Sequence, residues 1–237
     1  MPTVEDLLLE KKRYGLQQII TDEEKIKLDS GMPIQYIMGY VEFLNTRINL
    51  NHKVLIPRYE TEEMVHMIIE KYSKNIDNIN VLDLCCGSGF IGLAIKKNIK
   101  NVSVTLSDID QEAIDQTNEN IKQNFNDHRD IKVIKSDLFE KINDRFDLIV
   151  SNPPYLDPNI KLENQQSLNF EPQHALFAED QGWYFYEKIL KEYKKYLKPG
   201  GKLILEINPL HLEKWKALEN AVIINDINKK PRFVIVV

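Results

Sequence analysis

Residues 79–98 read INVLDLCCGSGFIGLAIKKN. A mostly apolar run reaches Asp83 and a cysteine pair, passes through Gly87 and Gly89, and resumes with apolar residues at helical spacing. That pattern is a strand, a tight turn and a helix. Gly87 and Gly89 let backbone N–H groups approach a ligand closely. The helix N-terminus behind them favours a carboxylate or phosphate. Two glycines alone are weak evidence. Asp83, still on the strand end, and Asp108, which ends the next strand in VTLSDID, sharpen it, because a carboxylate at that second strand end can accept both hydroxyls of a ribose. The stretch is not read as a nicotinamide fingerprint. The plain alternative is a structural strand-to-helix turn followed by a helix-capping Asp.

Outward from this unit the rhythm repeats. Strand VSVTLSD (102–108) leads to helix QEAIDQTNENIKQ (111–123), and strand IKVIKSD (131–137) is followed by FDLIVSNPPY (146–155). After an irregular stretch over 156–180 come a helix over 182–197, a KPGG turn, strand KLILEIN (202–208), another helix, and strands AVIIND (221–226) and RFVIVV (232–237). Alternating elements of this kind imply a doubly wound α/β fold, a parallel sheet covered by helices on both faces. Ahead of it, Thr3 to about Tyr14 reads as a helix. Thr21-x-x-Glu24 is a capping box before a second helix that stops at Gly31. Residues 36–56 alternate loosely and suggest a β-hairpin, and 60–72 read as a helix with acidic residues in its first turn. The chain thus divides into a short helical appendage (1–35), a hairpin linker (36–57) and a main domain (58–237).

A length of 237 residues and a hydrophobic fraction of 43% allow one sizeable domain with an appendage. The net charge of −5 argues against a nucleic-acid surface as the main feature. The only cysteines, Cys85 and Cys86, adjoin in sequence, so no disulfide framework or zinc site is expected. They read as small buried hydrophobes, with a reactive role as the alternative. No apolar run reaches the ~20 residues of a membrane span, and the charged N-terminus lacks a signal-peptide core. A soluble, cytoplasmic protein is expected.

SNPPYLDP (151–158) poses a separate question, since it follows the strand FDLIV directly. Pro153 and Pro154 remove two backbone donors and hold Asn152 and Pro153 extended. The Asn152 side chain adds a carbonyl acceptor, and Tyr155 adds a planar ring. A rigid loop rich in acceptors and short of donors suits a planar –NH2 group; the alternative is a plain Pro-rich turn. In a parallel sheet LDLCCGSG, LSDID, SDLF and SNPPY all sit at carboxyl strand ends, where ligands bind.

With these residues together, the nucleotide-site pattern resembles class I S-adenosylmethionine-dependent methyltransferases, and Asn152-Pro153-Pro154-Tyr155 resembles their amino-methylating branch. GMPIQYIMG (31–39), VLIPRYETEEM (54–64) and FEPQHALFAEDQG (170–182) are similar to the HemK/PrmC-type release factor glutamine methyltransferases. The resemblance covers roughly residues 30–237. It implies a seven-stranded sheet whose last strand runs antiparallel between its neighbours, with 58–237 as the methyltransferase domain. S-adenosylmethionine is the implied cofactor, with no metal. Asp83, Cys85, Cys86, Gly87, Ser88, Gly89, Asp108 and Leu138 form the implied cofactor site, with Asn152 beside the methyl donor. Asn152, Pro153, Pro154 and Tyr155 would grip a glutamine amide, with Asn152, Pro153 and Tyr155 as the catalytic set. Arg58 and residues 60–62 would help close the pocket, and His174 is a candidate for the substrate loop. The implied partner is a peptide-chain release factor; no membrane or direct nucleic-acid contact and a monomeric state are expected. The same tetrad would serve an exocyclic amine of adenine or guanine in DNA or RNA, which is the alternative enzyme, and a catalytically idle cofactor-binding module is the alternative from another class.

The sequence departs from the family pattern at Cys85, where a glycine is expected, at Leu138, where an aromatic is common, and at Asn208-Pro209, where a glycine follows the strand. Only about 30 residues precede GMPIQYIMG, fewer than the family's helical N-terminal domain, so docking to a large partner is expected to differ.

Overall fold

The computed structural model describes residues 2–72, 78–161 and 165–237. Helices α1 (Val4–Arg13) and α2 (Asp22–Asp29) each open on a threonine capping box, at Thr3 and Thr21. Lys11 of α1 pairs with Glu24 of α2 at 2.6 Å, tying the two helices together. Residues 36–38, expected in the hairpin, belong instead to a short helix α3 (Ile34–Met38). Pro33 starts it and Gly39, left-handed at φ 78°, ends it. The hairpin proper is β1 (Tyr40–Phe43) with β2 (Thr46–Asn49).

From α4 (Tyr59–Tyr72) onward the chain builds the α/β layer: β3 (Ile79–Leu84), α5 (Phe90–Asn98), β4 (Val102–Asp108), α6 (Gln111–Asn124), β5 (Ile131–Lys135) and β6 (Phe146–Ser151). A short helix α7 (Gln165–Leu168) precedes α8 (Tyr184–Glu192), β7 (Leu197–Glu206), α9 (Leu212–Lys216), β8 (Ala221–Asn225) and β9 (Pro231–Val236). The helix expected over 182–197 stops at Glu192 and ends in a 3-10 turn. The KPGG segment is no free turn but an irregular start of β7, with a register shift opposite Phe146 and Leu148.

Among the described residues seven strands form one sheet in the order β5-β4-β3-β6-β7-β9-β8. The pairs from β5 to β7 are parallel, and β9 runs antiparallel to both β7 and β8. The last strand therefore lies antiparallel between its neighbours, as the resemblance implies. The two-residue period of a strand feeds two cores. Ile79 and Val81 join the cluster under α4, α5 and the hairpin, while Leu82 and Leu84 join the one with Tyr186, Ile189 and Trp215 of α8 and α9.

Helix α5 sits unusually close to the sheet at Gly92. A Cβ there would lie 2.9 Å from Leu106 Cδ2, 2.9 Å from Val104 Cγ1 and 3.1 Å from Asp83 Oδ2. Helix propensity favours Ala over Gly by about 1 kcal/mol, but overpacking costs about 1–3 kcal/mol. Because the contacts lie on the sheet itself, Gly92→Ala is expected to lower the denaturant midpoint. A rise in midpoint would show that α5 can back away freely.

Candidate active site

The site grows from one register. In β3 and β6, Leu84 stands opposite Ser151, and across β4 it stands opposite Ser107. The three strands thus end level. Ser151 Oγ also donates to the Leu84 carbonyl, joining the glycine loop to the tetrad. This is where the chain turns one way to β4 and the other way to β7, the switch point of such sheets.

Above these ends lies a cleft of about 490 Å³. Its walls include Cys85 to Ser88, Ser107 to Asp110, Ser136 to Leu138, Thr61, Asn152 and Pro154. Gly87 is left-handed at φ 53°, and a Cβ there would meet nothing within 4 Å, so the space above the loop is open to a ligand. The two oxygens of Asp108 accept the N–H groups of Gly87 at 2.9 Å and Asp110 at 3.0 Å. Each oxygen keeps a lone pair for a further donor. Burial pushes this carboxyl up, and the two N–H groups oppose it. Leu138, left-handed at φ 44°, forms part of the wall, and its carbonyl accepts the Ser136 hydroxyl at 2.9 Å. The open glycine cradle, a carboxylate with spare acceptors and the apolar Leu138 and Ile109 suit a nucleoside with a diol, as S-adenosylmethionine requires. Ile109 and the Tyr184 and Phe185 side of α8 also line this cleft. The sequence pattern did not single them out. Ile109 was detectable as an apolar residue just past the strand-end acid.

Two residues expected in this wall stand behind it. Asp83 is fully buried, and its Oδ2 accepts the Gly92 N–H at 2.8 Å while Oδ1 has no partner. It shares the strand face of Ile79 and Val81, so it points under α5 and acts on the loop from behind. Gly89 is the left-handed N-cap of α5, its N–H donating to the Cys86 carbonyl at 2.8 Å, and lies outside the cleft lining. Gly87, Gly89 and Gly92 do keep the G-x-G-x-x-G spacing of a nicotinamide fingerprint, so the glycines by themselves do not exclude it.

A second cleft, of about 900 Å³, opens on the appendage side and is lined by Pro33, Gln35, Pro153, Tyr155, Leu156 and Glu171, among others. The tetrad divides between the two spaces: Pro154 faces the first, Pro153 and Tyr155 the second, and Asn152 both. Arg58 also lines both and pairs with the buried Glu171, whose other oxygen accepts the Ile56 N–H at 2.9 Å. His174 reaches Asp110 at 3.0 Å from the same 170–175 segment, so it closes the first cleft and not the second. Of residues 60–62, only Thr61 lines a cleft.

A buried network that the sequence pattern missed supports the tetrad. Glu206, 1% exposed at the end of β7, accepts the Thr61 hydroxyl at 2.6 Å and the Tyr155 hydroxyl at 2.9 Å. Thr61 in turn accepts the Asn152 amide at 3.1 Å. Burial raises the Glu206 carboxyl, opposed by those two hydroxyls and by Arg232. Asn208 donates to the Tyr155 carbonyl at 3.2 Å, so the departure from glycine at this position braces the tetrad. Gly182 packs so closely on the same carbonyl that a Cβ would collide with it. Two sequence signals mark the network's members without pairing them. Glu206 is the lone charge in the apolar run LILEI, and Thr61 continues the buried stripe Met64, Val65 and Ile68 of α4. Among the described residues no group of three His, Cys, Asp or Glu is placed to hold a metal ion, and no helix is long and apolar enough to cross a membrane.

The sheet order with its antiparallel β9, and the nucleoside cleft at the switch point, define the class I methyltransferase fold. A methyltransferase described as S-adenosylmethionine-dependent from Agrobacterium tumefaciens superposes with a TM-score of 0.56 at 15% identity, over 83% of this chain and 69% of that one. Residues 61–177 match the family described as the methyltransferase small domain. The release factor glutamine methyltransferase of Streptococcus pneumoniae (strain ATCC BAA-255 / R6) is 41% identical over 206 residues, 82% of this chain and 71% of its own. That of Leptospira interrogans (serovar Lai) is 38% identical over 240 residues, 98% of this chain and 82% of its own. The chain belongs to the release factor glutamine methyltransferase family, and it is an S-adenosylmethionine-dependent methyltransferase.

Asp83 yields a pH prediction. Burial is the main cause that pushes its carboxyl up to about 8 from 3.8; the Gly92 N–H opposes this and Asp108 adds to it. A folded-state value above the unfolded one confers stability that is complete below about pH 4 and lost as pH rises through 8. Each pH unit in that window costs up to about 1.4 kcal/mol. Asp83→Asn removes this titration. Its stability relative to the parent, from urea unfolding, is expected to increase steadily from pH 5 to pH 8. A pH-independent difference would mean that Asp83 titrates normally.

Proposed function

We propose that this enzyme transfers a methyl group to the side-chain amide nitrogen of a glutamine in a peptide-chain release factor. The observation that carries the reading is the position of Asn152, on the wall common to the cofactor-sized cleft and to the cleft that opens outward. A slender side chain entering from the outer cleft meets the inner one there. The family membership supports glutamine as the acceptor.

S-adenosylmethionine, when bound, supplies a methyl group on a positively charged sulfur. In this reading Cys85 to Ser88, Asp108 and Leu138 hold that cofactor, and Asp83 and Gly89 hold the loop that does so. An amide nitrogen is a weak nucleophile because its lone pair is delocalised. The Asn152 side-chain oxygen and the Pro153 carbonyl accept its two N–H bonds, which orients the lone pair and favours a pyramidal nitrogen. The same acceptors stabilise the positive charge that develops as the N–C bond forms. Tyr155 and Pro154 wall the amide in. Once the methyl is transferred the nitrogen loses a proton, and no side chain is assigned as the base. The main domain begins at about residue 58, and the helical appendage (1–35) with the hairpin linker (36–57) walls the outer cleft. The enzyme works in the cytoplasm as a monomer, without direct contact to nucleic acid.

The test is mass spectrometry of methyl incorporation into a release factor, duplex DNA and total RNA. A single added methyl on a glutamine flanked by glycines is expected, since glycines let the backbone approach the cleft without side-chain clash. Replacing that glutamine by Asn shortens the reach and should abolish transfer. Label in adenine or guanine instead would overturn the reading in favour of a nucleic-acid amine methyltransferase.

Two substitutions separate the roles. Asn152→Ala is expected to lower turnover about 10²–10³-fold with only moderate loss of cofactor affinity by calorimetry. Asp108→Ala is expected to weaken cofactor binding by about 1.5–3 kcal/mol and to affect turnover less at saturating cofactor. The reverse pattern would exchange the two assignments.

A further inference from the structure

A primary amide has an acceptor end and a donor end of nearly the same shape. Asn152 serves a substrate –NH2 group only when its oxygen, and not its nitrogen, is turned toward that group. The backbone of the tetrad fixes where the side chain lies but not which end points outward. The direction of the hydrogen bonds behind it does.

We propose that Glu206 and Thr61 are positioning residues that set the Asn152 amide with its oxygen facing the acceptor substrate; this rests on the reading of Asn152 as the group that grips the glutamine amide. Both Glu206 oxygens accept, Oε2 from the Thr61 hydroxyl and Oε1 from the Tyr155 hydroxyl, and a carboxyl that only accepts is a carboxylate. Thr61 therefore spends its one hydroxyl hydrogen on Glu206 Oε2, at 2.6 Å. What remains on Thr61 Oγ is lone pairs, and these accept Asn152 Nδ2 at 3.1 Å. With its nitrogen held at the back, Asn152 presents its oxygen at the front. The second carboxylate oxygen is engaged by the Tyr155 hydroxyl at 2.9 Å, so the same anion ties the first and last residues of the tetrad. Thr61 and Glu206 are 4% and 1% exposed, so their mutual link is made away from bulk water. The orienting anion comes from β7 and the hydroxyl from the first turn of α4, so the relay crosses from sheet to helix layer.

Because the relay has a direction, it predicts a reversal that simple structural support does not. If Glu206 is replaced by Met, Thr61 has no carboxylate to donate to. Its hydrogen turns to the Asn152 oxygen and draws it inward, leaving the –NH2 end facing the substrate. Removing the hydroxyl as well frees the amide to turn back. The effect of Thr61→Val must therefore change sign with the residue at 206. Loss of the Tyr155 contact is common to both Glu206→Met proteins and cancels in their comparison.

The experiment measures kcat on a glutamine acceptor at saturating cofactor for the parent, Thr61→Val, Glu206→Met and the double variant. Cofactor binding by calorimetry verifies folding. In the parent background Thr61→Val is expected to lower kcat about 10-fold, roughly one hydrogen bond. In the Glu206→Met background the same substitution is expected to raise it several-fold. If Thr61→Val lowers kcat in both backgrounds, or changes it in neither, the relay is overturned. Should Glu206→Met fail to bind cofactor, Thr61→Ser and Thr61→Val decide. The serine keeps the hydroxyl and is expected within about threefold of the parent, and the valine is not; equal activities would reject the relay. A parent enzyme that methylates no glutamine acceptor would sink the functional reading, whereas a parent that does so while these variants show no pattern would sink only the relay.

Discussion

The parallel pairing of β3 with β6 is the constraint on which the rest of the molecule depends. It places Leu84 beside Ser151, and so the glycine loop beside the Asn-Pro-Pro-Tyr loop, at the point where the sheet winds away in both directions. A slip of one residue would turn Asp83 from the α5 face to the α8 face and invert every strand residue with it. The apolar stripes of the two cores forbid that slip, since Val81 and Leu82 belong to different clusters. Packing of the cores thus fixes the relation between the glycine-loop cleft and the Asn-Pro-Pro-Tyr loop. The chemistry inherits its geometry from the hydrophobic pattern of two strands.

Buried carboxylates then tie the loops to that frame. Asp83 holds the start of α5, Glu171 joins the 170–175 segment to Ile56 and Arg58, and Glu206 joins α4 to the tetrad. Burying a carboxylate is costly unless its lone pairs are engaged. Glu171 and Glu206 meet that condition with two partners each, while Asp83 meets it at one oxygen only. Burial raises the carboxyls of both Glu206 and Asp83, and Asp83, with one oxygen unpartnered, is pushed up to about 8. Among these three, the two satisfied acids lie beside the Asn-Pro-Pro-Tyr loop, Glu206 bonded to Tyr155 and Glu171 lining the second cleft with Pro153 and Tyr155. The less satisfied one sits behind the loop, where only the N–H of Gly92 needs an acceptor.

Local sequence reading located features that are carried by contiguous residues. The strand-turn-helix unit, the strand-end acid Asp108 and the tetrad were each visible in a short window, and the rhythm of apolar runs was enough for the doubly wound sheet. It faltered where strand and helix patterns are both short. Residues 36–38 alternate like a strand, yet Pro33 and Gly39 set up one turn of helix. It was silent where partners are distant. Thr61 and Glu206 are separated by 145 positions, and only the folded sheet brings them together. The approach of Gly182 to the Tyr155 carbonyl is of the same kind. Asp83 shows the converse limit: its place at a strand end was readable, but which side of the loop it faces depends on strand phase, and that puts it behind the cleft wall.

Cys85 joins these threads. Its backbone is left-handed at φ 58°, a conformation that glycine adopts freely and that costs other residues about 1–2 kcal/mol. That cost explains why the family pattern favours glycine there. The side chain offsets part of it by packing against the cluster that contains Leu82 and Leu84. A cysteine on the wall of a cleft suited to an electrophilic methyl donor raises a chemical difficulty, because a thiolate is a strong nucleophile. Burial is the main cause that pushes the Cys85 thiol up, and the neighbouring Asp108 charge adds to it, while Ser151 opposes. The thiol therefore stays protonated at neutral pH and weakly nucleophilic. Burial, reinforced by the carboxylate suited to a ribose, thus keeps the adjacent sulfur inert, so a residue that looks misplaced in the glycine loop is compatible with methyl transfer beside it.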